Sequence, residues 1–177
     1  MNEKQILLPE SLVFSKRIYL SIFFSAVSFA LPLFLTHPQP LLGTFVNALL
    51  LLSATFLPFS LALPVALMPS LAALSRGLLF GPLTPLLYYM VPSIWLGNLF
   101  FIFCFKRLRE NKSYFVSVFW AAVAKTTVLF LPALLLVKIK ILPPLFLQTM
   151  GSLQFFTAIS GGILTLFLFR FWQKFNA

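Results

Sequence analysis

Polar positions along this chain are few and clustered, and the apolar stretches between them run close to 20 residues. Wound as a helix, each stretch is long enough to cross the ~30 Å hydrocarbon core of a bilayer. The pattern predicts six spans, at about 18–35, 41–57, 61–79, 84–105, 114–137 and 146–169. Polar or proline-rich segments punctuate them, among them "THPQP", "PFS", "RGLLFGP" and "KRLRENK". Spans two and three, joined only by "PFS", form either a tight hairpin or a partly re-entrant pair. Prolines 32, 64, 69, 85, 92 and 132 fall within spans or at their edges. Each leaves a backbone carbonyl for a neighbour to satisfy, so kinked helices are expected.

Composition sharpens this picture. The chain is 60% hydrophobic and 9% charged, against about a quarter charged in soluble proteins. The expected fold class is an all-α integral membrane protein, a six-helix bundle forming one membrane domain over residues 1–177. One Cys and one His exclude a disulfide framework and leave too few ligands for a metal site. The first span lacks a small-residue cleavage site and reads as a retained helix rather than a signal peptide.

The net charge of +10 is mostly topological. With the N-terminus inside, cytoplasmic segments hold Lys4, Lys16, Arg17, Lys106, Arg107, Arg109, Lys112, Arg170 and Lys174. The outer side holds Arg76, Lys138 and Lys140. This asymmetry places both termini in the cytoplasm, in the cell membrane of a prokaryote, and gives a nucleic-acid partner little support. The acids Glu3, Glu10 and Glu110 all fall on the inner side, so no span carries a carboxylate.

Against that background Lys125 stands out. It lies about 11 residues from the inner end of span five, near the midplane, where snorkelling reaches neither headgroup layer comfortably. Facing lipid would cost at least ~2.5–3.5 kcal/mol. It therefore faces protein, water or a ligand. Carbonyls freed by Pro92 or Pro132 are one possible partner; otherwise the negative charge comes from a ligand or from another subunit.

Other polar groups sit at compatible depths: Asn47 in span two, Arg76 at the end of span three, Trp95 and Asn98 in span four, Gln154 and Thr157 in span six. Each has a plainer reading. Arg76 suits an interfacial anchor, Tyr88 and Tyr89 an aromatic belt, and the amides interhelical hydrogen bonds worth about 0.6 kcal/mol each. Taken as a set they describe an outward cavity of cations, amides and aromatics, suited to a small organic anion with a flat or apolar body. His37 reads as a loop residue with a lesser claim to ligand contact or pH switching, and Cys104 as inert packing.

Small residues form a second pattern. Ser21 and Ser25, and Ala26 and Ala30, stand four apart on span one; Ser117 and Ala121 on span five and Ala158 and Gly162 on span six repeat the spacing. Most such pairs serve packing within a bundle, whereas an outward stripe on span one would dock a second membrane protein. No Walker A, HExxH or GxSxG sequence occurs, so the chain is read as neither an ATPase nor another enzyme. An intramembrane acid for proton or Na⁺ coupling is also lacking.

With six short spans, the span-one "AVSFA" and the stretches "GTFVNALLLL", "MPSLAALSRGLLFGP", "PSIWLGNLF", "AAVAKTTVLF" and "LQFFTAISGGIL", the chain resembles the substrate-binding S component of energy-coupling factor (ECF) transporters. The likeness covers most of residues 18–170 and is to a subgroup sometimes labelled "iron hydrogenase". It implies a vitamin or similar micronutrient captured from outside, and docking through span one on a transmembrane coupling subunit driven by two cytoplasmic ATPases. Ala26 and Ala30 take the docking role, with Ser21 and Ser25 beside them. The hydrogenase label fails, since one Cys and one His cannot hold an iron–sulfur cluster. Metal cargo is disfavoured for want of His and carboxylate ligands. The expected function is substrate capture for an ATP-driven importer, with Lys125 and Arg76 meeting the solute and no cofactor. A scaffold subunit whose Lys125 pairs with a partner's acid, or a stand-alone facilitator, are the alternatives.

Overall fold

The computed structural model describes residues 14–35, 37–76 and 81–176, with side chains at all of these except positions 76, 81, 82 and 172–176. Apolar residues that must satisfy their own backbone form helices, and no strand occurs among the described residues. The helices are α1 (Phe14–Phe34), α2 (Gln39–Phe56), α3 (Phe59–Arg76), α4 (Val91–Arg109), α5 (Tyr114–Lys138), α6 (Leu145–Met150) and α7 (Ser152–Asn176); a 3-10 helix, Gly81–Met90, precedes α4. Five helical stretches are long and apolar enough to cross a membrane: Phe14–Phe34, Gln39–Phe56, Leu83–Arg109, Tyr114–Lys138 and Leu145–Phe171. The apolar part of α3, Phe59–Ser75, is shorter. Among the described residues the secondary structure is thus all helical, and its long apolar helices are compatible with a multi-pass membrane protein. The outward apolar side chains, Phe103, Phe115, Leu131, Phe156 and Phe167 among them, suit lipid rather than water.

Two expected spans are interrupted. Span four begins as a 3-10 helix and turns α-helical only at Val91. Pro82 and Pro85 cannot donate to a preceding carbonyl, which disfavours an α-helical ladder through "GPLTP". Span six breaks at Gly151, between α6 and α7. A Cβ there would lie 2.6 Å from the Leu147 carbonyl oxygen and 3.0 Å from the Phe130 ring, so the break needs a residue without one. Positions 77–79, expected to end span three, lie outside the described residues.

Between α2 and α3 only Leu57 and Pro58 intervene, and the chain reverses as a tight hairpin. Pro58 ends the α2 ladder, and its own carbonyl accepts from Leu61 and Ala62 to start α3. Lys106 of α4 meets two carbonyls at this end, its Nζ donating to the oxygens of Ala54 in the last turn of α2 and of Leu57 just beyond it at 2.8 Å each. A cation on a helix C-terminus is electrostatically favoured as well as hydrogen-bonded. So Lys106 is a cap, beyond its share in the charge asymmetry.

Cross-helix contacts set the register. Ser21 and Ser28 of α1 donate to the Leu61 and Val65 oxygens, so α1 and α3 run parallel. The Val65 oxygen is the carbonyl that Pro69 cannot serve, and Ser28 satisfies it. From the opposite side, Trp95 Nε1 donates to Ser70 Oγ (2.7 Å) and Asn98 Nδ2 to the Ala66 oxygen (2.8 Å), holding α4 antiparallel to α3. On α5, the Tyr114 hydroxyl donates to the Gly162 oxygen of α7 at 2.7 Å. The core divides in two. One cluster, around Leu50, Leu51, Phe101, Phe105 and Ala121, fills the half nearer the α4–α5 turn. The other joins Ala73, Leu87, Met90, Leu129 and Phe146 in the half nearer α6.

Candidate functional site

The site is assembled where α2 and α7 come closest. Gly161 of α7 lies against α2 so tightly that a Cβ would meet Asn47 Cβ at 2.7 Å and the Ala48 nitrogen and Thr44 oxygen at 2.9 Å. One turn earlier, Gly43 of α2 accommodates Thr157 of α7. A few residues later, Thr165 donates to the Ala48 oxygen at 3.2 Å. Small residues thus let two backbones approach, and the approach fixes where Asn47 points.

Asn47 points at Lys125. Nζ of Lys125 lies 2.6 Å from Asn47 Oδ1, and the lysine is only 2% exposed. The amide hands the interaction on: Asn47 Nδ2 donates to Thr157 Oγ1 at 3.2 Å, and Thr157 donates to the Gln154 carbonyl oxygen at 3.2 Å. Phe101 offers its ring face to the ammonium, 5.4 Å from the centroid. An ammonium has three donors, and Asn47 takes one of them. The sole acid among the described residues, Glu110, pairs with Arg107 at the α4–α5 turn. Nothing negative in the described bundle answers the lysine.

What adjoins it is a cavity of about 110 Å³, room for a small solute or several waters. Every helix and the 3-10 segment contribute to its wall. Of the residues nominated from sequence, Lys125, Asn47, Asn98, Gln154 and Thr157 all line it. Trp95 stands one hydrogen bond behind the wall, through Ser70. Arg76 ends α3, and its side chain lies outside the described residues. Tyr88, Tyr89 and His37 are exposed and do not line the cavity.

Sequence reasoning passed over Ser70, Thr149 and Gln39, which also line it. A signal for Thr149 was present, since it and Gln154 flank the Gly151 break. On α1, Ser21 is buried against α3, whereas Ala26 is exposed and Ala30 half-buried. The Ser25 hydroxyl is buried without a hydrogen-bond partner. Among the described residues no three His, Cys, Asp or Glu side chains gather into a metal-binding group.

The arrangement can hold an anion: free ammonium N–H groups and side-chain amides around a space walled largely by apolar side chains. Comparison with known proteins finds no matching family model, no matching curated protein and no matching solved structure, so the case for the site rests on its own geometry.

Proposed function

We propose that this chain is the solute-capturing membrane subunit of an ATP-driven importer of the ECF type, taking a small polar or anionic organic solute from the outer side of the cell membrane. One observation carries the reading: a buried lysine with no carboxylate partner among the described residues borders a cavity that also exposes Asn47, Gln154 and Thr157. Buried charges are kept where something compensates them, and intramembrane ones mark binding or conduction paths. The cavity lies in the half of the bundle away from the basic α4–α5 turn with Arg107, Arg109 and Lys112. With that turn cytoplasmic, as the charge asymmetry asks, the cavity faces outward. The chain carries no nucleotide-binding sequence, so a coupling subunit and cytoplasmic ATPases would supply the energy, with Ala26 on the open face of α1 as the docking point.

Native mass spectrometry of the purified protein tests the reading. One small molecule per chain is expected in the wild type and none in Lys125→Ala. An empty wild type, or a ligand indifferent to the substitution, overturns it. Loss of a partner protein instead of a solute in Lys125→Ala would assign the chain a scaffolding role. Thiol labelling of Lys112→Cys and Lys140→Cys in a Cys104→Ala background reads the sidedness; reagent reaching Lys112→Cys from outside would invert the topology.

A further inference from the structure

The cavity is polarised along the bundle. On three lining helices the polar contact lies about one turn nearer the bundle centre than an apolar one: Asn47 below Leu42 on α2, Asn98 below Ile94 on α4, Thr157 below Leu153 on α7. At 1.5 Å per residue the offset is roughly 6–8 Å. Lys125 enters at the polar end, bonded to Asn47 and above Phe101. The end toward α6 and the 3-10 helix is walled mostly by Leu42, Leu87, Ile94, Met150 and Leu153, with Gln39 and Thr149 among them. A solute matching this wall carries charge at one end and hydrocarbon at the other.

The amount of charge is limited as well. Lys125 is the one cation among the described residues that line the cavity. A phosphate monoester brings about −1.5 to −2 charges at neutral pH and would leave part of that uncompensated among apolar side chains. A neutral solute leaves the ammonium unanswered, and an amine is repelled. A carboxylate brings one charge and two oxygens, able to accept from the free Nζ donors and from the Gln154 amide. A cavity of about 110 Å³ has room for a body of a few carbons.

We infer that the captured solute is a short organic monocarboxylate, bound with its carboxylate at Lys125 and Gln154 and its apolar body toward Leu42, Met150 and Leu153. This inference rests on the solute-capture reading and narrows it. The test is calorimetric titration of the full chain in detergent, after exhaustive dialysis, with butanoate, pentanoate and hexanoate. Butyl phosphate, butanol and butylamine are the comparison probes.

The carboxylates are expected to bind about fourfold tighter per added methylene until the cavity is full. The comparison probes are expected at least tenfold weaker than butanoate. Lys125→Gln should lose at least tenfold in carboxylate affinity. Should that variant fail to fold, Leu153→Thr serves in its place and should flatten the gain per methylene while leaving butanoate binding measurable. Preferential binding of the phosphate, alcohol or amine overturns the monocarboxylate and leaves solute capture standing. So does a co-purified solute of another class when the carboxylates do not bind. No binding by any probe, with no co-purified molecule, overturns both.

Discussion

The contact between Gly161 and α2 gives the most exacting test of the architecture. In Gly161→Ala the new methyl would sit 2.7 Å from Asn47 Cβ, about 0.8 Å short of the ~3.5 Å carbon–carbon contact distance. Its other neighbours, the Ala48 nitrogen and the Thr44 oxygen at 2.9 Å, are backbone atoms that no rotamer change can move aside. Relief requires α2 and α7 to separate by most of that shortfall. Overpacking of this kind costs about 1–3 kcal/mol. At about 2–4 °C per kcal/mol for a chain of this size, the melting temperature should fall by roughly 2–12 °C. The same separation draws Asn47 away from Lys125 and stretches their 2.6 Å bond, so solute affinity should fall with stability. Gly97→Ala is the control, because its nearest contact is the Leu129 side chain, Cγ at 3.1 Å, which can give way. Thermal denaturation in one detergent, with Gly161→Ala and Gly97→Ala side by side, reads the difference. Equal melting temperatures would show that α2 and α7 do not pack as described.

Replacing the lysine and its partner together, as Lys125→Met with Asn47→Leu, removes an ammonium whose burial costs several kcal/mol against one hydrogen bond and a ring contact. The double variant should melt at or above the wild-type temperature, by up to about 4 kcal/mol of added stability, and bind no solute. A variant that melts well below wild type would make the pair structural. In Lys106→Ala the carbonyls of Ala54 and Leu57 lose their donor. Because the site is half-exposed and water can substitute, a loss of about 1–2 kcal/mol is expected in thermal denaturation, largely restored by Lys106→Arg; an unchanged melting temperature would remove Lys106 from the α2 cap.

Much of this protein is legible in one dimension, because lipid imposes a one-dimensional rule. A helix that must cross an apolar layer has to be apolar throughout, so the spans show as uninterrupted runs and Lys125 shows as a violation. Depth is readable too, since rise per residue is constant, and on that basis Asn47, Asn98, Gln154 and Thr157 could be grouped with it. Helix continuity was less legible. Proline and glycine permit a break without demanding one, and whether "GPLTP" and Gly151 interrupt a span depends on what their carbonyls and missing side chains meet.

The sequence alone pointed to the helical membrane class, the charge asymmetry and a lysine within a span, with no acid in any span. The tertiary structure decided who faces whom. It turned Asn98 and Trp95 onto the kinked α3, gave Lys106 to the end of α2 and used Ser21 and Ser28 against α3. It also left Lys125 with an amide and a hollow. The reason is rotation about the helix axis: spacing fixes height and relative face, but the direction a face turns is set by packing against helices far away in sequence.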